Sequence, residues 1–477
     1  MTQPGPGTEL IDARAEFEVE PEPRPGRPPF RGILAWRPDA VSWLSLVVFF
    51  IFVLPARYVV KGAGAVGTPA NGLGICLLLL WLFARMRGSK PATRFQPVRI
   101  LTAIYLFVVV LTYATGFSRG MYPDETNNAT RYVIQTFAMA GIALTAADAI
   151  HTRDRLHLLL QRVIYGAAFM GLAGDIEFVT GFNLAAHIRP PGLKLNSGLV
   201  GSAARGAADL HRVAGTASHY IEFGVVLAML LPLAIHFAIF APTRGRRQFN
   251  WLLVAIIGMG VPFAISRAAA FGLVAAMFVI GCCWTWRARV NAIVAGAIGA
   301  VVMKAAKPGL LGTIRNLFLH ASSDPSVTSR TADYGPSFAM IRERPIFGRG
   351  AGTFIPSRYR FLDNQILMTT IESGFLGLAA LVTLFVGGLA IAQRVGKFAT
   401  DPETKHLGYA LLAAFTVAFL TSFTFDSLSF PIFTTMLFLL LGVAGALWRL
   451  DRAARHARFT VDSIETDADL ADERIYS

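Results

Sequence analysis

The sequence predicts an all-α bundle of transmembrane helices, and three observations carry that reading. The chain of 477 residues is 54% hydrophobic and only 16% charged, where soluble domains carry about a quarter charged residues. Its apolar residues fall in uncharged blocks of roughly 18 or more, the length that crosses about 30 Å of hydrocarbon. The Lys and Arg behind the net charge of +14 cluster in short connections between those blocks. That is a topology signal, and it argues against a nucleic-acid partner.

Residues 1–36 are polar and Pro-rich (PEPRPGRPPFRG), read as a disordered cytoplasmic segment, and lack a cleavable signal peptide. Twelve spans are expected after them, at about 38–55, 70–86, 99–116, 131–149, 158–180, 216–240, 249–265, 268–285, 289–305, 365–393, 406–422 and 429–449. Residues 37–450 thus form one transmembrane helical domain. The 451–477 tail runs basic (RLDRAARHAR, from residue 449) and then acidic (DSIETDADLADE), a short amphipathic extension fading into disorder. Cys76, Cys282 and Cys283 lie inside apolar blocks as small hydrophobes. They build neither a disulfide framework nor a metal motif. No metal and no cofactor is expected.

Alternate connections carry the cations: ARMRGSKPATRFQPVR, HTRDRLHLLLQR, TRGRR, WRAR and QRVGKFATDPETK. With these inside, the positive-inside rule is met at every turn and both termini are cytoplasmic. Two long connections, roughly 181–215 and 306–364, then lie outside, the larger between spans nine and ten. Loops of that length are uncommon unless functional or disordered. The larger one holds a helical-looking run, PSFAMIRERPIFG, suited to a membrane surface.

The outer loops, long and short, are rich in arginine, against the charge bias, and include Arg212, Arg267, Arg330 and Arg349. Local rule-breaking of this kind marks function. Arg267, in VPFAISRAAAFGL, occupies a turn of a few residues between two spans. It either snorkels to lipid headgroups or forms part of a polyanion site, since the guanidinium fork suits phosphate oxygens. Arg212 precedes GTASHYIEFGVVLAMLLPLA, and the free amides at that helix start favour an anion. His211 and His219 flank the same turn, with His219 open to a simple capping role. Arg212 and Arg267 with this terminus make a clamp for a pyrophosphate.

DNQILMTTIESGFLGLAALVTLFVGGLA opens a span with Asp363, Asn364 and Gln365. Asp363 has two open readings: a helix cap, or a carboxylate beside arginines that takes a proton from a sugar hydroxyl. Asn364 and Gln365 hydrogen-bond either sugars or backbone. Gly374 and Gly377 read as a close-packing pair. Glu372, Asp175, Glu177 and Asp426 rank below these.

In these segments the chain resembles the O-antigen ligase and polymerase superfamily, polytopic glycosyltransferases that act on polyprenyl-pyrophosphate-linked glycans. Asp363-Asn364, nine residues, then Gly374-Phe375-Leu376-Gly377 matches the family's motif in spacing and place, with Asp363 where the family carries histidine. GTASHYIEFGVVLAMLLPLA, ISRAAAFGL and IRERPIFGRGAGTF resemble three further family segments in the family's order, within residues 200–390. The resemblance implies a GT-C-like fold and a metal-independent, inverting attack. Arg212 and Arg267 would hold the leaving pyrophosphate. A glycan or lipid would be the acceptor, outside a bacterial plasma membrane.

The rival reading is a transporter or flippase of a lipid-linked saccharide. It would place charges near the bilayer midplane and show broken helices, whereas the charges here collect at the outer rim. The halves also differ in loop length, against repeat-built transporters.

Overall fold

Helix starts in this chain are written in proline and small polar caps. Pro69, Pro97, Pro123 and Pro402 each occupy a first helical position, where the missing N–H has no intrahelical partner to lose. Thr68, Thr152, Thr243, Ser266, Thr285 and Asp401 accept a backbone N–H from the turn that follows them. The computed structural model describes residues 39–56, 58–60, 67–88, 95–195, 204–205, 210–319 and 325–475. The disorder expected of residues 1–36 lies outside the described residues.

A helix coincides with every expected span. In order they are α1 (Ala40–Val53), α2 (Pro69–Met86), α3 (Pro97–Phe117), α4 (Pro123–Ala149) and α5 (Arg153–Thr180). A short α6 (Leu184–His187) precedes α7 (Tyr220–Ile239), α8 (Arg244–Phe263), α9 (Arg267–Gly281) and α10 (Trp286–Ala306). The large connection holds α11 (Leu310–Leu319) and α12 (Pro325–Glu343), followed by α13 (Gln365–Phe398), α14 (Pro402–Thr421) and α15 (Pro431–Ile475). Among the described residues, eight helices are long and apolar enough to cross a membrane, and α1 and α9 are shorter apolar helices. The chain is an all-α polytopic membrane protein. Its strands are two minimal antiparallel pairs, β1 (Tyr58–Val60) with β2 (Leu193–Leu195), and β3 (Ala204–Arg205) with β4 (Leu210–His211).

α7 and α15 form the centre: 94% of the apolar window in each is buried. Around them pack α4, α5, α8, α9, α13 and α14. The apolar window of α10 is 0% buried, so all of its faces are left for lipid.

The basic connections gather at one end. Asp148, closing α4, takes Arg99 at 2.8 Å, Arg85 at the end of α2, and the Trp81 indole at 2.9 Å. Arg153 pairs with Asp401 at 3.2 Å, joining α5 to α14. Arg449 of α15 donates to the Ile150 carbonyl.

At the other end α13 is broken. Gly374 has φ 63° and ψ −167°, a backbone that is essentially glycine-only. This corrects the expectation of a packing glycine. The break frees peptide groups that residues 345–354 then occupy. Arg349 N–H donates to the Ile371 carbonyl (3.0 Å), and Gly350 N–H to that of Glu372 (2.7 Å). In return Phe375 N–H donates to Pro345 (2.7 Å), and Leu376 N–H to Ile346 (3.2 Å). The buried Glu372 carboxylate accepts Phe354 N–H at 3.0 Å. The long connection before α13 is therefore stitched into the bundle.

A Cβ at Gly374 would come 2.2 Å from the Ile346 carbonyl oxygen. Gly374→Ala should therefore lower stability by at least about 2 kcal/mol, seen as a fall of several degrees in Tm in detergent.

Candidate active site

The site is a ring of helix ends. Arg212, 7% exposed, follows β4 and lies over the Tyr220 ring at 4.2 Å, where α7 begins. One turn on, Gly224 packs against Ala264 and Ala269, the residues that bracket Arg267 at the start of α9. Further along α9, Gly272 lies against Thr421 at the end of α14. The neighbouring Ser422 carbonyl, with that of Phe425, receives Gln365 N–H at 2.9 and 3.1 Å, so α13 begins there. The 422–430 connection closes the ring: Phe430 sits 5.8 Å from the His219 ring. The N-termini of α7, α9, α13 and α15 thus converge, and each brings a positive partial charge.

Their caps differ in a way that shapes the field. His219 Nδ1, Ser266 Oγ and Asn364 Oδ1, all uncharged as acceptors, take one N–H each from α7, α9 and α13. α15 is instead met by a carboxylate. Glu222, wholly buried, accepts Ile432 N–H (2.7 Å) and Phe433 N–H (3.3 Å) with one oxygen, and the Ser218 N–H and hydroxyl with the other. Glu222 escaped the sequence reading because an acid one turn into an apolar helix carries no signal of its partner 210 residues away.

The cap of α13 is Asn364, which separates the two readings of Asp363: the capping role belongs to its neighbour. Asp363 is half-buried and its charge reaches two other acids, Asp426 and Asp333. Burial first, and then the Asp363 charge, push the Asp426 carboxyl up to about 7. Burial also raises Asp333, although Arg360 lies 3.1 Å from it and opposes the shift. Neither Asp333 nor Arg360 was singled out from the sequence, and Asp426 ranked low there. Their convergence depends on the fold of 325–364.

Other expected residues lie elsewhere or are committed. Gln365, 2% exposed, spends both ends of its amide on protein: Nε2 on Thr369 Oγ1 (3.0 Å) and Oε1 on Leu428 N–H (2.8 Å). It fastens α13 to the 422–430 connection, which is the backbone contact of its two readings and not the sugar contact. Arg349 bonds Glu343 (3.1 Å) and the Tyr359 hydroxyl (3.2 Å). Tyr359 in turn donates to Glu125, which Arg119 meets at 2.9 Å. That network clamps the long connection before α13 to the α3–α4 end. His211 is exposed on β4, opposite Ala204. Arg330 lies on α12, and its side chain is outside the described ones.

A family model described as O-antigen ligase matches residues 251–382. That segment of the chain is therefore similar to the O-antigen ligase family. The matched segment starts within α8 and ends within α13, so it takes in Arg267, the docked connection, Asp363 and the Gly374 break. The resemblance read from the motifs therefore holds, and the chain is a membrane protein of the glycan-transferring kind. No curated protein matches the chain.

The Asp426 carboxyl has a folded pKa of about 7, above the unfolded value of about 3.9. Its contribution to stability is full below about pH 4, falls as pH rises, and is lost above about pH 7. Asp426→Asn should leave Tm unchanged at pH 4 and raise it relative to the parent at pH 8, measured by thermal unfolding across that range.

Proposed function

We propose that this chain transfers or polymerises a glycan from a polyprenyl-pyrophosphate carrier. The acceptor is a glycan or lipid on the extracytoplasmic side of a bacterial plasma membrane. The observation that carries this is the ring of helix N-termini with Arg212 and Arg267 beside it. A diphosphate leaving group carries its charge on oxygens, and converging N–H dipoles with guanidinium forks stabilise that charge as it develops. The acceptor hydroxyl attacks the anomeric carbon from the face opposite the carrier, so the configuration inverts. The bond from that carbon to the diphosphate oxygen breaks, and the hydroxyl proton passes to Asp363. Asp426 next to it, its carboxyl lifted to about 7, suits a group that receives or returns that proton near neutrality. Arg212 and Arg267 supply the leaving-group charge, so the reaction runs without a metal. His219, Arg330 and His211 remain contacts for the glycan.

The gathering of basic connections at the opposite end supports the sidedness. By the positive-inside rule that end faces the cytoplasm, and the ring faces out. One feature favours a transporter instead: α13 is a broken helix, as transporter binding helices are. Yet its freed peptide groups are bonded to residues 345–354, and a transporter would leave such groups to line a cavity.

Transfer assayed in proteoliposomes with a lipid-linked glycan donor tests the reading. Arg267→Ala and Arg212→Ala should each lower the rate by about 10²-fold or more. Asp363→Asn should lower it by about 10²–10⁴-fold, with donor still bound. Carrier flipping should be unaffected in all three. Full transfer in the variants, or loss of flipping in its place, overturns the proposal.

A further inference from the structure

At the basic end, where α5 begins, α7 ends and α14 begins, three side chains converge. His157, His236 and Glu403 each place one ligand-type atom within 4.8 Å of the others. His157 Nδ1 lies 3.8 Å from Glu403 Oε1. His236 is wholly buried, and its Nε2 has no hydrogen-bond partner. Its other ring nitrogen, Nδ1, lies 3.1 Å from Nδ1 of His406. We propose that His157, His236 and Glu403 bind one divalent cation, zinc by the chemistry of the donors, which clips α5, α7 and α14 together at the end of the bundle remote from Arg212 and Asp363.

The donor set fits. Two imidazoles and a carboxylate are a recurring zinc set, with metal–ligand distances of about 2.0–2.2 Å and a fourth position open to water. Donors at such distances are roughly 3.4 Å apart in a tetrahedron, so each needs to move inward by less than about 1 Å. His157 and Glu403 are half-exposed at 24% and 38%, which leaves an entry path and freedom to close. The nearby Asp401 is engaged, capping α14 through Thr404 N–H at 3.0 Å and pairing with Arg153.

The hydrogen bonds behind His236 make the idea sharper. The Trp284 indole N–H can only donate, and it donates to His406 Nε2 at 3.1 Å. Neutral His406 therefore carries its proton on Nδ1 and gives it to His236 Nδ1. The His236 proton then sits on Nε2, which has no hydrogen-bond partner. Zinc on Nε2 displaces that proton and reverses the order: His236 donates from Nδ1 to His406, the usual support of a metal-bound imidazole. His406 must then hold its proton on Nε2, facing Trp284. The indole thus opposes the bound state, and removing it should tighten binding. The sequence hid the site because its ligands come from helices far apart in the chain, with no short-range spacing to read.

The test uses the full chain without a histidine tag, purified in detergent, stripped with a chelator and titrated with Zn²⁺. One zinc per chain by elemental analysis after gel filtration, with a rise of several degrees in Tm, is expected. His157→Ala and Glu403→Gln, both at half-exposed positions, should weaken binding at least tenfold while keeping the zinc-free Tm of the parent. Trp284→Phe should raise affinity several-fold. No retained zinc at tens of micromolar, or unchanged binding in the His157 and Glu403 variants, overturns the proposal. An unaltered affinity in Trp284→Phe overturns His236 as the ligand.

Discussion

Backbone hydrogen bonding in a medium without water is the constraint on which this structure depends. Each unsatisfied peptide group in hydrocarbon costs several kcal/mol. A break in the middle of α13 is tolerable only if other groups fill it, and residues 345–354 do so from both sides. Glycines serve both halves of the joint: Gly374 adopts the backbone that opens α13, and a Cβ at Gly348 would come 2.4 Å from the Glu372 carbonyl. Because the connection is held there, the chain leaving it arrives at Asp363 in a fixed place. Asn364 then caps α13, and Gln365 ties its first turn to the 422–430 connection. A loop that would otherwise wander delivers a carboxylate.

The site's field follows from how the helix starts are capped. A carboxylate cap cancels part of the positive end of a helix, and a neutral cap satisfies an amide while leaving the potential. Glu222 cancels it at α15, in the buried centre. At α7, α9 and α13 the caps are His219, Ser266 and Asn364, and Arg212 and Arg267 add full charges there. Of the acids that approach, Asp363, Asp333 and Asp426 gather on the α13 side of the ring, and Glu177 accepts the Gly215 N–H before α7. The arrangement separates a cationic part, suited to a diphosphate, from an acidic part, suited to a hydroxyl proton.

The sequence announced the membrane helices, because block length and charge placement are local properties and hydrocarbon thickness sets one length for all of them. It also drew attention to Arg267, since a cation in so short a turn stands out, and the fold places that residue at the first position of α9. What it hid was set by contacts between distant segments. Gly374 looked like a packing residue because nothing local shows that another loop fills the gap. Gln365 looked like a sugar ligand because its partner Leu428 is 63 residues away. Asp426 looked minor because its burial and its nearness to Asp363 arise only once α13 and α15 meet the same connection.

The two ends of the bundle carry opposite loads, and the division has a physical reason. The end with the basic connections is closed by matched charges: Asp148 holds two arginines and an indole, and Asp401 holds Arg153. A pair made by a buried carboxylate such as Asp148 adds little net stability, yet leaving that carboxylate alone is strongly destabilising, so it defines which helix ends meet. The ring end does the reverse, keeping helix dipoles and arginines close together without a carboxylate at each helix start. Like helix potentials gathered in this way repel, so the helix starts must be held in place by packing and hydrogen bonds elsewhere. The α13 joint and the paired charges at the far end supply that fixation, so the field at the ring is oriented in advance, which is what the proposed transfer requires of it.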